Sequence, residues 1–197
     1  MAHRYISSNK RRMTGGALQN TSGINAVGKV ICSCNQYNPQ LPFFKNNESY
    51  TTSGSCFMIN AEKGLFVTNA HVINQATEIS IILRSLNVIP ISAQVLGVLF
   101  EKDIAIIQVN YNNIADKKFV NAIKNIKPLE IANDLFIKKS DEVHAIGFPH
   151  NSDDSNITSG NVSSFFDDDQ SFKLTSTNSF IQISAAINPG NSGGPLV

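Results

Sequence analysis

The sequence predicts an all-β protein in which one small six-stranded barrel is followed by the start of a second, incomplete at Val197. Three observations predict it. Short runs rich in Val, Ile, Phe and Thr alternate with clusters of Gly, Asn, Pro and Ser, the punctuation of strands and turns. Six such runs precede the one stretch with helical spacing, and five follow it. The chain has 197 residues, 42% of them hydrophobic, enough for a packed core.

The elements follow in order. Residues 1–23 read as a flexible basic arm, with Arg4, Lys10, Arg11 and Arg12 near its start and no acid before Glu48. It lacks the apolar segment of a secretory signal; a solvated tail and an organelle transit segment both fit it. Residues 24–114 hold the first barrel, with strands expected at Val27–Ser33, Gly54–Asn60, Leu65–Thr68, Glu78–Arg84, Val88–Leu99 and Ile104–Val109. Pro39–Tyr50, polar and Asn-rich, reads as a loop. Residues 115–128 connect the halves, and Phe119, Val120, Ile123 and Ile126 give Ala115–Ile126 a helical spacing. Residues 129–197 begin the second barrel, with strands at Leu129–Ala132, Glu142–Gly147, Asn161–Phe166, Phe172–Ser176 and Phe180–Ser184, and polar loops at His150–Asn156 and Asp167–Gln170.

Composition excludes several function classes. Charged residues are 16% of the chain and the net charge is +1, so no nucleic-acid partner is implied. No run reaches the ~18 apolar residues of a membrane helix. Cys32, Cys34 and Cys56 cannot all pair, which favours a reducing compartment. Cys32-Ser33-Cys34 reads as half of a metal site or as ordinary strand cysteines. A second ligand pair is missing, so neither metal nor cofactor is expected.

The last residues, Asn188-Pro189-Gly190-Asn191-Ser192-Gly193-Gly194-Pro195-Leu196-Val197, admit two readings. Gly, Asn and Pro there make a tight turn. The same turn points backbone N–H groups beside a serine hydroxyl, as an oxyanion pocket around a nucleophile requires. His71 ends a strand where the pattern turns polar, and Asp103 stands directly before a nearly continuous apolar strand. Each alone reads as structural. Together, His71 and Asp103 on the first half and Ser192 on the second have the chain order of an acyl-transfer site between two barrels.

Four segments carry a resemblance: Ser53-Gly54-Ser55-Cys56-Phe57-Met58-Ile59, Thr68-Asn69-Ala70-His71-Val72-Ile73, Lys102-Asp103-Ile104-Ala105-Ile106-Ile107 and Ala185 to Val197. They resemble the trypsin-like serine proteases, most closely the HtrA (Deg) branch. Ala145-Ile146-Gly147-Phe148-Pro149 and Ile157 to Ser164 agree with that branch.

The resemblance implies a double six-stranded β-barrel endopeptidase acting on unfolded or flexible polypeptides. His71 would be the general base, Asp103 its orienting acid and Ser192 the nucleophile, with the Gly190 and Ser192 N–H groups as the oxyanion hole. Asn191 replaces the aspartate of digestive relatives, so activation by N-terminal cleavage is not expected. The floor of the first specificity pocket falls at Ala186 or Ile187, where the absence of an acid favours small or medium apolar residues over Lys or Arg. A homo-oligomer, a trimer, is implied by the family.

The family continues past Gly-Gly-Pro-Leu, so the sequence is expected to be a truncated piece in which no PDZ-like segment follows. The alternative is a binding or scaffold protein that keeps the protease fold without turnover.

Overall fold

The computed structural model describes residues 23–35, 49–86, 89–132, 137–168 and 178–197. The expected arm short of Gly23, most of the Pro39–Tyr50 loop and the expected strand Phe172–Ser176 lie outside them.

The first half closes on itself. Strands β1 (Val27–Asn35), β2 (Ser49–Asn60), β3 (Leu65–Thr68), β4 (Ala76–Ile82), β5 (Ile91–Leu99) and β6 (Ile104–Val109) form a closed antiparallel barrel in the order β1-β2-β3-β6-β5-β4. Long β1 does the closing, pairing Lys29 with Ser55 on one edge and with Ile82 on the other. A closed barrel leaves no strand edge unpaired.

Alternation fills the interior: Val30, Cys32 and Cys34 of β1 are fully buried against Met58, Phe66, Ile81 and Ile107. The Cys32–Cys34 pair is thus packed as core side chains sharing one strand face. Burial pushes the Cys32 thiol up to about 11, with the neighbouring Cys34 adding to the shift, and burial raises the Cys56 thiol further.

Helix α1 (Lys117–Lys124) follows. Asp116 caps it by accepting from the Lys118 and Phe119 N–H groups at 2.8 and 3.3 Å, and Val120 and Ile123 are its buried face.

The expected strand Leu129–Ala132 does not form. The Leu129 N–H donates to Met58 O at 2.9 Å and its side chain packs on the barrel core, so the segment docks against β2 without a ladder. Pro128, which lacks an N–H, stands at its start.

The later strands β7 (Glu142–Gly147), β8 (Asn156–Asp168) and β9 (Asn178–Ile183) make a three-stranded antiparallel sheet in that order. β8 starts before the expected Asn161 and runs through Asp168, so Asp167 and Asp168 belong to a strand and not to the expected loop. Val143, Ala145, Val162, Ile181 and Leu196 cover one face of this sheet. The halves share a second apolar cluster, in which Val27, Phe57 and Val67 of the barrel meet Ile146 and Phe148.

Candidate active site

Each expected reactive residue stands just off the end of a strand or in a turn. After β3 the chain passes through the extended Asn69 into a short 3₁₀ turn, Ala70–Val72, which buries Ala70 and Val72 and leaves His71 on the surface. Asp103 precedes β6 in the left-handed region, φ 51° and ψ 44°, a conformation that Asp tolerates better than most residues.

β3 and β6 are paired with Thr68 opposite Ala105, so their ends bring His71 and Asp103 together. Asp103 Oδ1 accepts from the His71 N–H at 2.9 Å, and Oδ2 lies 2.7 Å from His71 Nδ1. The two contacts hold the ring with Nδ1 on the carboxylate and Nε2 facing away. The imidazole remains 56% exposed and the carboxylate 32%.

Ser192 lies in a turn built on two positive-φ glycines, Gly190 at 101° and Gly193 at 84°. A Cβ at Gly190 would run into Phe148 O, and one at Gly193 into Ser55 O and Thr68 Oγ1. The Asn191 N–H donates to Asn188 O at 3.0 Å and the Gly194 N–H to Asn191 O at 2.9 Å. The N–H groups of Gly190 and Ser192 have no acceptor among the described residues.

β2 locks this turn to the barrel. The Ser55 N–H donates to Ser192 O at 2.8 Å. Its hydroxyl donates to Gly190 O at 2.7 Å and accepts from the Phe148 N–H at 2.9 Å. Gly54 lies between the two halves of the site: a Cβ there would stand 2.7 Å from Val72, the residue after His71, and 3.1 Å from Ser192 O.

Two residues that sequence reasoning did not single out complete the arrangement. Asn69 Nδ2 donates to Asp103 O at 2.7 Å while its Oδ1 accepts from the Gly193 N–H at 2.6 Å. Ser55 is the other. Both lie inside the segments quoted for the family resemblance, which was the available signal.

A cleft between the barrel and the later sheet is lined by Phe57, Val67, Ile104, Ile146, Ile187 and Ser192, among others. Ile187 thus reaches the cleft, 41% exposed. Ala186 stands outside this lining, exposed, with its carbonyl accepting from Thr158 Oγ1 at 2.8 Å. Among the described residues no group of three His, Cys, Asp or Glu side chains is arranged to hold a metal.

Residues 54–197 match the trypsin-like peptidase domain family. Over 179 residues the chain is 32% identical to the chloroplastic Protease Do-like 2 of Arabidopsis thaliana, covering 90% of this chain and 27% of that protein. Over 150 residues it is 33% identical to the periplasmic serine endoprotease DegP of Escherichia coli, covering 76% of this chain and 28% of that one. Among solved structures, the HtrA-type protease AlgW with a decapeptide is similar at a TM-score of 0.67 and 26% identity, over 90% of this chain and 54% of its own. The chain therefore spans about a quarter of the length of these curated relatives.

Proposed function

The chain belongs to the trypsin-like peptidase domain family, and from that premise we propose a serine endopeptidase of the HtrA branch that hydrolyses flexible polypeptides through His71, Asp103 and Ser192. A serine hydroxyl is a weak nucleophile until a base takes its proton. In the proposed reaction Ser192 Oγ attacks the substrate carbonyl carbon as its proton passes to His71 Nε2. The negative charge that develops on the carbonyl oxygen is met by the Gly190 and Ser192 N–H groups. His71 then gives the proton to the leaving amine, and the C–N bond breaks to leave an ester on Ser192. Water, losing a proton to His71, attacks that ester; collapse releases the acid and returns the proton to Ser192.

The carrying observation is the pairing of His71 Nδ1 with Asp103 Oδ2 at 2.7 Å. It supports the imidazole tautomer that leaves Nε2 to accept, with a fixed carboxylate beside the positive charge that the ring takes on only when it accepts the Ser192 proton. The two unengaged N–H groups at the Ser192 turn support the rest. Losing one such donor typically costs about 10²–10³ in rate.

Ile187 in the cleft wall supports cleavage after small or medium apolar residues, and among the described residues that line the cleft there is no acid to hold Lys or Arg. The sheet β7-β8-β9 is read as the beginning of the second barrel. The unpaired, buried cysteines suit a reducing compartment; no helix among the described residues is long and apolar enough to cross a membrane. The trimer that the family implies would depend on the N-terminal arm, outside the described residues.

The test is labelling by a fluorophosphonate, a probe that phosphonylates an activated serine. Wild type takes the label and Ser192→Ala does not. No label on wild type, or equal label on both, would leave the non-catalytic binding protein as the better reading.

A further inference from the structure

Lys29 lies on β1 among apolar neighbours and is only 5% exposed. A buried ammonium is retained where it is paired. Its partners come from the other half of the chain: Nζ donates to Asn151 O at 2.8 Å and to Ser152 O at 3.0 Å, and Asp153 Oδ1 lies 3.8 Å away. Arg84 takes the same turn from beside it, its Nε donating to Asp153 O and standing 3.4 Å from Asp154 Oδ1.

The turn so gripped has an unusual shape. His150 and Asn151 are successive non-glycine residues in the left-handed region, at φ 54° and 59°. Such a conformation persists where the surroundings over-determine it. Lys29 and Arg84 do so by collecting the carbonyls of residues 151, 152 and 153.

The other side of the turn meets the Ser192 segment. The His150 N–H donates to Pro189 O at 2.7 Å. Gly190, lacking a side chain, lets Phe148 O approach closely, and a Cβ there would meet Pro149 Cα at 3.0 Å and His150 N at 3.1 Å. A continuous set of contacts thus runs from Lys29 through residues 149–153 to Pro189 and Gly190.

We infer that Lys29, assisted by Arg84, is a positioning residue for the Gly190 and Ser192 N–H groups, acting through the 149–153 turn without touching substrate. Its catalytic part rests on the peptidase reading above. A shift of about 1 Å in a reacting geometry can cost on the order of 10² in rate, so a loosened turn is read directly in activity.

The test uses the whole chain and three variants. Lys29→Met keeps an unbranched side chain and removes the donors; Lys29→Arg restores charge and donors. Lys124→Met removes an exposed ion pair with Glu62, at 3.1 Å, and serves as control. Two quantities are read: amide hydrogen exchange along the chain, and the rate of Ser192 phosphonylation.

Lys29→Met is expected to speed exchange by about tenfold or more in residues 149–153 and 188–193 while β3 and β6 keep theirs. It slows phosphonylation by about 10- to 100-fold; Lys29→Arg recovers most of both, and Lys124→Met changes neither. Faster exchange at 149–153 with none at 188–193 overturns the inference, as does an unchanged labelling rate. Faster exchange throughout the barrel overturns it too, since Lys29 would then support the whole fold. A wild-type chain that takes no label removes the peptidase reading, and the link from Lys29 to the Gly190 turn is then decided by the exchange data alone.

Discussion

Asn69 holds two parts of the site with one side chain, the Asp103 carbonyl through Nδ2 and the Gly193 N–H through Oδ1. It is buried, so its loss leaves the buried Gly193 N–H without this acceptor and takes one donor from the half-buried Asp103 carbonyl. Each unpaired group of this kind costs about 1–3 kcal/mol. Asn69→Ala should therefore lower stability by about 1–3 kcal/mol, read from the urea midpoint at an unchanged denaturant slope. It should also slow Ser192 labelling, because Asp103 and the Ser192 turn lose their common tie. A midpoint within experimental error of wild type would show that water replaces the amide. His71, Asp103 and Ser192 could be named as candidates from the sequence because of their chain order taken together and the segments that carry the family resemblance. Asn69 was legible only as a letter of such a segment, since its partners are 34 and 124 positions away. Ile187 and Ala186 divide for a similar reason: the family resemblance implied one or the other at the pocket floor, and of the two only Ile187 lines the cleft, while the Ala186 carbonyl accepts from the Thr158 hydroxyl.

At the scale of the element, strands bounded by sharp composition changes were readable to the residue. β3, β6 and β7 begin and end where their apolar runs do. β1, β2 and β8 outrun theirs, because pairing continues through polar residues such as Asn35, Ser49 and Asn156 that carry no strand signal. Leu129–Ala132 failed in the opposite sense, its apolar character serving to dock Leu129 on the barrel core. Cys32 of β1 and Cys56 of β2 give the barrel a pH dependence. Burial raises the Cys32 thiol to about 11, so the folded chain holds that proton more tightly than the unfolded chain does. Stability from this source is fully present below the free thiol's value of about 8.5 and is lost as pH rises toward the folded value. The raised Cys56 thiol acts in the same direction. Urea midpoints from pH 8 to 11 should fall for wild type and fall less steeply for Cys32→Ala, whatever the offset between the two curves. Parallel curves would mean that Cys32 keeps its ordinary titration in the fold.

Over the whole molecule the decisive contact is between the halves, since the cleft, the Ser192 turn and the Lys29 clamp all lie across it. Phe148 is its centre. The side chain is 1% exposed and packs with Val27, Phe57, Val67 and Ile146, while its N–H donates to Ser55 Oγ and its carbonyl oxygen lies against Gly190. Truncating a buried Phe to Ala costs about 3–5 kcal/mol. In Phe148→Ala that loss falls on the shared cluster and leaves the ladders of both sheets unbroken. The barrel has a second core of its own, running from Val30 and Phe66 to Ile107. The sheet β7-β8-β9 has the smaller cluster around Val143 and Ile181. The wild-type chain should therefore unfold in one step, with amides of β1–β6 and β7–β9 losing protection at the same urea concentration when pulse-labelled and resolved by mass. In Phe148→Ala the β7–β9 amides should open at lower urea than those of the barrel, and Ser192 labelling should disappear with the first transition. Equal displacement of both sets would show that the polar ties through Ser55 suffice to keep the halves a single cooperative unit.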